Sequence, residues 1–178
     1  ADFDFGGLAI GHNGNLTNAY SLRKKLVQRG CIFQSTMDTE IIVHLIAISE
    51  YSTVVDRMID ALRQVEGAYS LGALTNEGLI GVRDPIGVRP LVLGRIDGAY
   101  ILASETCALD IIGAEFVRNV APGEIIVIDG DGAALMKMAT LATIAAYAPQ
   151  NLVHLILDNG VHDSTGGQAT VAPGVSFA

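Results

Sequence analysis

The chain has 178 residues, 50% of them hydrophobic and 17% charged, so it can bury the core of one domain, or of one domain with an appendage. Its formal net charge of −8 argues against nonspecific binding to nucleic acid or to an anionic membrane surface. Its only cysteines, Cys31 and Cys107, are too few for a disulfide framework and fit a reducing, cytoplasmic setting. The longest apolar run, Ile41–Ile48, contains His44 and is too short to span a bilayer, and no signal peptide is evident. The chain begins at Ala1 rather than Met, which leads us to expect a natural N-terminal stretch upstream.

In chain order, residues 6–10 read as a short buried strand, and Gly11-His12-Asn13-Gly14-Asn15 reads as a tight polar turn, because Asn-Gly is the strongest short turn signal. Thr17 or Asn18 is expected to cap a helix with Leu22, Leu26 and Val27 on one face, Arg23, Lys24 and Lys25 on the other, and Gly30 at its end. Cys31-Ile32-Phe33 reads as a second short strand. An apolar helix is expected from about Asp38 to Ser49, and a second one, capped by Ser52, carries Val55, Met58, Ile59 and Leu62 at three- and four-residue spacing until Gly67.

From Ala68 the periodicity becomes that of strands. Residues 68–75 and 79–83 flank Asn76-Glu77-Gly78, and 91–96 and 99–103 flank Asp97-Gly98, so two hairpins are expected. Ser104 is positioned to cap a short helix to about Ile112, and 116–120 is expected to pair with 124–129 across Ala-Pro-Gly. Helices followed by an antiparallel meander make the class α+β, with helices packed on sheet. After Gly132 the pattern turns to a long Ala/Leu/Met helix to about Ala148, then a continuous apolar strand at 152–157, the pattern of a parallel sheet covered on both faces. Asp158-Asn159-Gly160 is a turn, and the tail from Ser164 reads as a loop. The stretch Ile128-Asp129-Gly130-Asp131-Gly132 serves as the end of the antiparallel part and as the start of a strand–turn–helix that could meet an anionic ligand.

Gly11-His12-Asn13-Gly14-Asn15-Leu16-Thr17-Asn18 resembles the oxyanion-hole segment of the class II glutamine amidotransferases, which belong to the N-terminal nucleophile (Ntn) hydrolases. Ser35-Thr36-Met37-Asp38-Thr39-Glu40, then the run from Val82 to Leu91 (Val-Arg-Asp-Pro-Ile-Gly-Val-Arg-Pro-Leu), then Leu102-Ala103-Ser104-Glu105-Thr106 extend the resemblance in the same order. The likeness is to the glutaminase domain of the amidophosphoribosyltransferase type and covers residues 1–129. It implies an incomplete αββα sandwich with antiparallel sheets, acting on glutamine and supplying ammonia for purine synthesis without a cofactor. It also implies that Asn13, by its side-chain amide, and Gly14, by its backbone N–H, stabilise the oxyanion of amide hydrolysis, and that Asp38 holds the α-amino group of glutamine. Read without the resemblance, Asn13-Gly14 is an ordinary turn and Asp38 a helix N-cap. Arg83, Asp84 and Arg89 read as an ion-paired structural loop, and His12 as a hydrogen-bonded structural residue.

The family attacks with an N-terminal Cys, using that residue's own amino group as base. This chain starts with Ala1, and Cys31 and Cys107 match no nucleophile position; both read as small buried residues. The expectation is therefore that the chain as written does not turn over glutamine.

Gly130-Asp131-Gly132, separated by residues 133–158 from Asn159, resembles the thiamine-diphosphate signature, in which Asp and Asn ligate the Mg²⁺ that bridges to the diphosphate. Asn151-Leu152-Val153-His154 and the run from Asp158 to Gln168 resemble phosphonopyruvate and sulfopyruvate decarboxylases in particular. The resemblance implies cofactor contacts at Gly130, Asp131, Gly132 and Asn159, metal ligation by Asp131 and Asn159, and a backbone carbonyl near Val161 as a third ligand. It makes residues 130–178 a short βαβ-like piece of a thiamine-diphosphate-binding domain. Together the two resemblances read as a chimera of two partial domains. The reading adopted is a glutamine amidotransferase domain, with a thiamine-diphosphate-dependent 2-oxo acid decarboxylase fragment and a non-catalytic fusion as the alternatives. Glutamine is the expected partner, with neither nucleic acid nor membrane, and a homo-oligomer is left open.

Overall fold

The computed structural model describes residues 1–76, 78–130, 152–157, 161–162 and 168–169. Strands β1 (Asp2–Phe3) and β2 (Gly6–Leu16) lead into helices α1 (Ala19–Gln28), α2 (Thr39–Ile48) and α3 (Val54–Leu62). The hairpin β3 (Gly67–Thr75) and β4 (Gly78–Arg83) follows, then the hairpin β5 (Val92–Ile96) and β6 (Ala99–Ala103), then α4 (Thr106–Ile112), β7 (Glu115–Asn119) and β8 (Ile125–Gly130). Beyond them lie β9 (Leu152–Leu157), β10 (Val161–His162) and β11 (Gln168–Ala169). The class is α+β with antiparallel sheets, as expected.

The strands form a six-stranded sheet in the order β1-β2-β3-β4-β8-β9, a three-stranded sheet β6-β5-β7, and the small pair β10-β11. Strand alternation sorts the side chains into layers. Ile80, Val82, Ile125 and Val127 of the large sheet pack with Leu22, Leu26, Ile42, Leu45, Ile46 and Met58 of the first three helices. The opposite face, with Leu79, Ile126 and Ile128, packs on Leu93 and Leu102 of the smaller sheet and on Leu91 just before β5. That sheet's outer face, with Val92, is covered by Leu109 of α4. The order is thus helices, sheet, sheet, helix. Gly81 permits the close approach of the sheets, because a Cβ there would stand 2.5 Å from Leu102 Cδ1.

Several local expectations are corrected. The residues read as a turn at 11–15 lie inside β2, whose ladder to β3 runs unbroken from Leu8 opposite Thr75 to Leu16 opposite Gly67. Gly14 serves closeness rather than reversal: its φ is +153°, and a Cβ would stand 2.1 Å from the Ala68 carbonyl oxygen. Residues 31–33 form no strand. Cys31 N–H instead closes the end of α1 by donating to the Leu26 carbonyl (3.0 Å), and Ile32 is 83% exposed. Val27 is exposed, so the buried face of α1 is Leu22 and Leu26 alone. Asn18 does not cap α1 with its side chain. Its amide donates to the Gln64 carbonyl (2.9 Å) and accepts from Glu66 N–H (3.0 Å), tying α1 to the loop before β3. Thr53, not Ser52, caps α3 by accepting from Asp56 N–H. That helix stops at Leu62, and Gly67 opens β3. Glu105 rather than Ser104 precedes α4.

The segments 116–120 and 124–129 do not pair. β7 joins β5 in the small sheet, whereas β8 joins β4 in the large one. The Ala-Pro-Gly link therefore crosses between layers, and polar contacts fix the crossing. Arg83 donates to the carbonyls of Gly87 (2.7 Å), Arg89 (2.8 Å) and Val120 (2.7 Å). Asp84, fully buried, makes no ion pair among the described residues but accepts from the N–H groups of Tyr69, Ile86, Gly87, Val88 and Arg89. Burial of the Tyr69 phenol, and then the charge of Asp84, raise its pKa. Arg118 of β7 makes a two-pronged ion pair with Glu124 (both 2.8 Å), which also accepts from Ala121 N–H (2.6 Å).

The apolar run at 152–157 forms a strand parallel to β8, with Ile125 opposite Leu152 and Gly130 opposite Leu157. Among the described strands it is the sheet edge. Leu152 packs toward the helices, while Val153 and Leu155 pack between the sheets. The helix expected at 133–148 and the turn at 158–160 lie outside the described residues, as does most of the loop expected from Ser164; Gln168–Ala169 pairs with Val161–His162.

Two outcomes follow from this packing. Gly14→Ala must push β2 away from β3 and adopt an unfavourable φ, at a cost of about 2–5 kcal/mol; a denaturant melt that leaves the midpoint unchanged contradicts this. Burial pushes the Glu124 carboxyl up, but the hydrogen bonds from Arg118 and Ala121 outweigh it and hold the pKa below the ordinary value. With the folded pKa below the unfolded one, the stabilisation is complete above about pH 4–5 and disappears as pH falls through the folded value. Glu124→Gln should therefore cost about 1–2 kcal/mol at pH 7, reduced because Arg118 stays partly hydrated. That gap should close in melts at pH 3.

Candidate functional site

Two of the expected site residues, Gly14 and Asp38, meet at the outer edge of β2. In an antiparallel strand, alternate residues turn their N–H and C=O to opposite neighbours. Leu8 exchanges hydrogen bonds with Ala1 (2.8 and 2.9 Å), on the side away from β3. Leu16 N–H donates to Asp38 Oδ2 (2.9 Å) on that same side. By this alternation Ile10, His12 and Gly14 also direct their N–H groups outward. Tyr69, opposite Gly14, confirms the phase, because it turns both its N–H and its carbonyl to Asp84. The paired β1 register covers only Gly6 and Gly7 of this edge, with Ala1 reaching Leu8. The Gly14 N–H thus points at an edge that no other described strand covers.

Asp38 approaches the edge from the start of α2. It occupies the N-cap position but makes no capping hydrogen bond with its side chain. Its carboxylate instead spans Gly14, with Oδ2 on Leu16 N–H and Oδ1 3.3 Å from His12 Nδ1. A carboxylate has about four acceptor directions, so capacity remains for a cationic ligand. The preceding loop is held by Glu40, which accepts from Gln34 N–H (2.7 Å), Ser35 N–H (2.9 Å) and Ser35 Oγ (2.7 Å). The Gln34 N–H, then the Ser35 hydroxyl, lower the Glu40 pKa against its partial desolvation. Arg23 stacks on Phe33 (4.1 Å) and donates to the Ser35 carbonyl, bracing the same loop from α1.

Asn13 is exposed and, by alternation with the core-facing Leu8, Ile10 and Leu16, lies on the sheet face opposite the helices. The structure therefore brings Gly14 and Asp38 together at one edge, with Asn13 at the same strand position on the other face. Cys31 is half-buried against the helix-side core, and Cys107 is exposed on α4, across the small sheet from β2. Asn13 lies on the other face of the large sheet from Cys31, and Cys107 is not the buried residue expected. Arg83, Asp84 and Arg89 form the interlayer crossing. His12, read as a hydrogen-bonded structural residue, and Thr39 of the Ser35–Glu40 motif contact each other at 3.0 Å beside Asp38. Once 6–16 is read as a strand, the shared parity of His12, Gly14 and Leu16 is the signal that finds them.

Gly130 ends β8, but Asp131, Gly132 and Asn159 lie outside the described residues. Val161 pairs with Ala169 in the small hairpin. Among the described residues no group of three His, Cys, Asp or Glu side chains could hold a metal ion, and no helix is long and apolar enough to cross a membrane.

Comparison with known proteins agrees with this fold. The family model described as a glutamine amidotransferase domain matches residues 3–110. That described as the C-terminal TPP-binding domain of thiamine pyrophosphate enzymes matches residues 111–177. An amidophosphoribosyltransferase of Rhizobium etli is 55% identical over 127 residues, 71% of this chain and 26% of that protein. The structure of the glutamine phosphoribosylpyrophosphate amidotransferase of B. subtilis, complexed with ADP and GMP, superposes with a TM-score of 0.69 at 44% identity, covering 71% of this chain and 28% of that one. A structure described as the allosteric regulatory enzyme of purine biosynthesis gives a TM-score of 0.67 at 44% identity over 68% of this chain and 26% of that one. The chain thus spans about a quarter of the length of these relatives. The two family models divide at residue 110, but β7 and β8 beyond it belong to the two antiparallel sheets. On the fold of its sheets, its motifs and its relatives, the chain belongs to the glutamine amidotransferase domain family.

Proposed function

We propose that this chain is a glutamine-handling domain of the amidophosphoribosyltransferase type, incomplete as an Ntn-type αββα sandwich, whose edge strand β2 recognises glutamine and stabilises the oxyanion of its amide hydrolysis. The observation that carries this reading is the Asp38 carboxylate, held beside Gly14 at the edge to which the Gly14 N–H points. The α-ammonium of glutamine would bind Asp38. The side-chain amide would lie along the edge, with its oxygen toward Gly14 N–H and the Asn13 amide.

In the reaction a nucleophile adds to the side-chain carbonyl carbon, and the electron pair moves onto the oxygen. The two donors stabilise that charge; the nucleophile's proton passes to the amide nitrogen, so that collapse breaks the C–N bond and expels ammonia, and water then cleaves the acyl intermediate to glutamate and returns a proton to the nucleophile. One such donor lowers the barrier by about 3–4 kcal/mol. This reading takes the attacking group from neither Cys31, half-buried on the helix side of the large sheet, nor Cys107, exposed on α4 beyond the small sheet. In the relatives named above the ammonia would serve purine synthesis.

The match of residues 111–177 favours a second reading, descent of the C-terminal segment from a thiamine-diphosphate-binding domain. Bound there, thiamine diphosphate would stabilise a carbanion formed on decarboxylation of a 2-oxo acid, with Asp131 and Asn159 as Mg²⁺ ligands. The described residues give this reading less support. β7 and β8 belong to the amidotransferase sheets, and β9 has a described neighbour on one side only. No step is therefore assigned to that cofactor.

Calorimetric titration of the full 178-residue chain tests the main reading. L-glutamine should bind with a dissociation constant on the order of 10⁻⁴–10⁻³ M, about −4 to −5.5 kcal/mol. Asp38→Asn and the use of N-acetylglutamine should each remove the signal, and the chain should release no glutamate. Binding unaffected by Asp38→Asn contradicts the site. Turnover abolished by Cys31→Ala or Cys107→Ala contradicts the placement of the nucleophile.

A further inference from the structure

We infer that His12 is the positioning residue for Asp38, holding that carboxylate toward the edge of β2 through an Nδ1–H donor; the inference rests on the assignment of Asp38 to glutamine recognition. Three observations meet at this imidazole. Its side chain is only 3% exposed, its Nδ1 is 3.0 Å from Thr39 Oγ1 and 3.3 Å from Asp38 Oδ1, and its Nε2 is buried without a hydrogen-bond partner among the described residues.

The carboxylate decides the tautomer. An unprotonated Nδ1 would point its lone pair at Asp38 Oδ1, lone pair against anion. It would also leave the proton on Nε2, where no described acceptor exists. With the proton on Nδ1, the ring donates toward Asp38 and Thr39, and the orphaned Nε2 is an acceptor rather than a donor. The neutral Nδ1–H form is thus the arrangement that satisfies the site.

The consequence is mechanical. Asp38 sits on the first turn of a helix but forgoes capping it. Leu16 N–H fixes one carboxylate oxygen and His12 the other, so the carboxylate is anchored at both ends along the strand, with Gly14 between. A side chain anchored at both oxygens presents its remaining lone pairs in one direction. An ammonium group then loses less affinity to reorganisation.

The test uses the full chain, ¹⁵N-labelled at histidine, with L-glutamine as probe. Long-range imidazole spectra should show His12 as the Nδ1–H tautomer in the parent protein, and Asp38→Asn should convert it to a mixture containing Nε2–H. An Nε2–H form in the parent overturns the inference whatever glutamine does. His12→Asn places an amide donor one bond beyond Cγ, as Nδ1 is, whereas His12→Leu fills the volume without a donor. Glutamine affinity should stay within about 3-fold in His12→Asn and fall about 10-fold or more in His12→Leu, with similar melting temperatures. Equal affinities in the two variants at equal stability overturn the positioning role and leave the Asp38 assignment standing. If the parent binds no glutamine, the glutamine-site assignment fails and the role inferred for His12 falls with it.

Discussion

Burial of both faces of β8 is the constraint on which the layers depend. Ile125 and Val127 face the three helices, while Ile126 and Ile128 face the smaller sheet, so one six-residue strand holds two cores together. A strand that is apolar on both faces must be covered twice, and the chain meets this by crossing from β7 in one sheet to β8 in the other. The polar groups at the crossing follow from that geometry. Backbone carbonyls and N–H groups leave their ladders there, and Arg83 and Asp84 satisfy them without an ion pair between themselves. A buried carboxylate that accepts from a nest of backbone N–H groups keeps its charge solvated by the protein, and this sets the turn from 84 to 89.

The candidate site is built on the opposite side of the large sheet, where pairing runs out. β2 is long because β3 supports it over nine residues, from Leu8 to Leu16, and among the described strands its other edge is covered only at Gly6 and Gly7, by β1. Open strand edges carry unused donors. Here the donors lie next to an acidic side chain brought in by a helix. An N–H that can meet a developing negative charge and a carboxylate that can meet a positive one stand side by side, and an amino acid bearing an amide carries both complements. Rigidity comes from close contact, since Gly14 lies against the β3 backbone and Glu40 pins the loop that delivers Asp38.

The hairpins at 67–83 and 92–103, the three helices and the motif residues were legible in the sequence because each carries a local signal: a period, a turn pair or an ordered motif. Asn13-Gly14 misled because the glycine that so often marks a reversal also marks a close approach between strands, and only the partner strand distinguishes the two. The pairing of 116–120 with 124–129 failed for a related reason. Adjacent apolar runs joined by Ala-Pro-Gly look like a hairpin, and the choice of sheet is made by long-range burial of β8. Asn18 and Asp38 sit where caps belong, but tertiary partners at Gln64, Glu66 and Leu16 claim their side chains. The parallel docking of 152–157 on β8 is foreshadowed by its continuous apolar run, yet nothing local says which strand it will join.

The most direct test of the account is an amide-resolved NMR titration of the whole chain with L-glutamine. If the edge of β2 recognises glutamine as described, the backbone signals of Gly14 and Leu16 should shift together in a saturable manner, while those of Ile126 and Ile128 in the buried strand stay in place. Saturable binding that leaves Gly14 and Leu16 unmoved, or that moves residues on the far side of the small sheet instead, would contradict the assignment of the site.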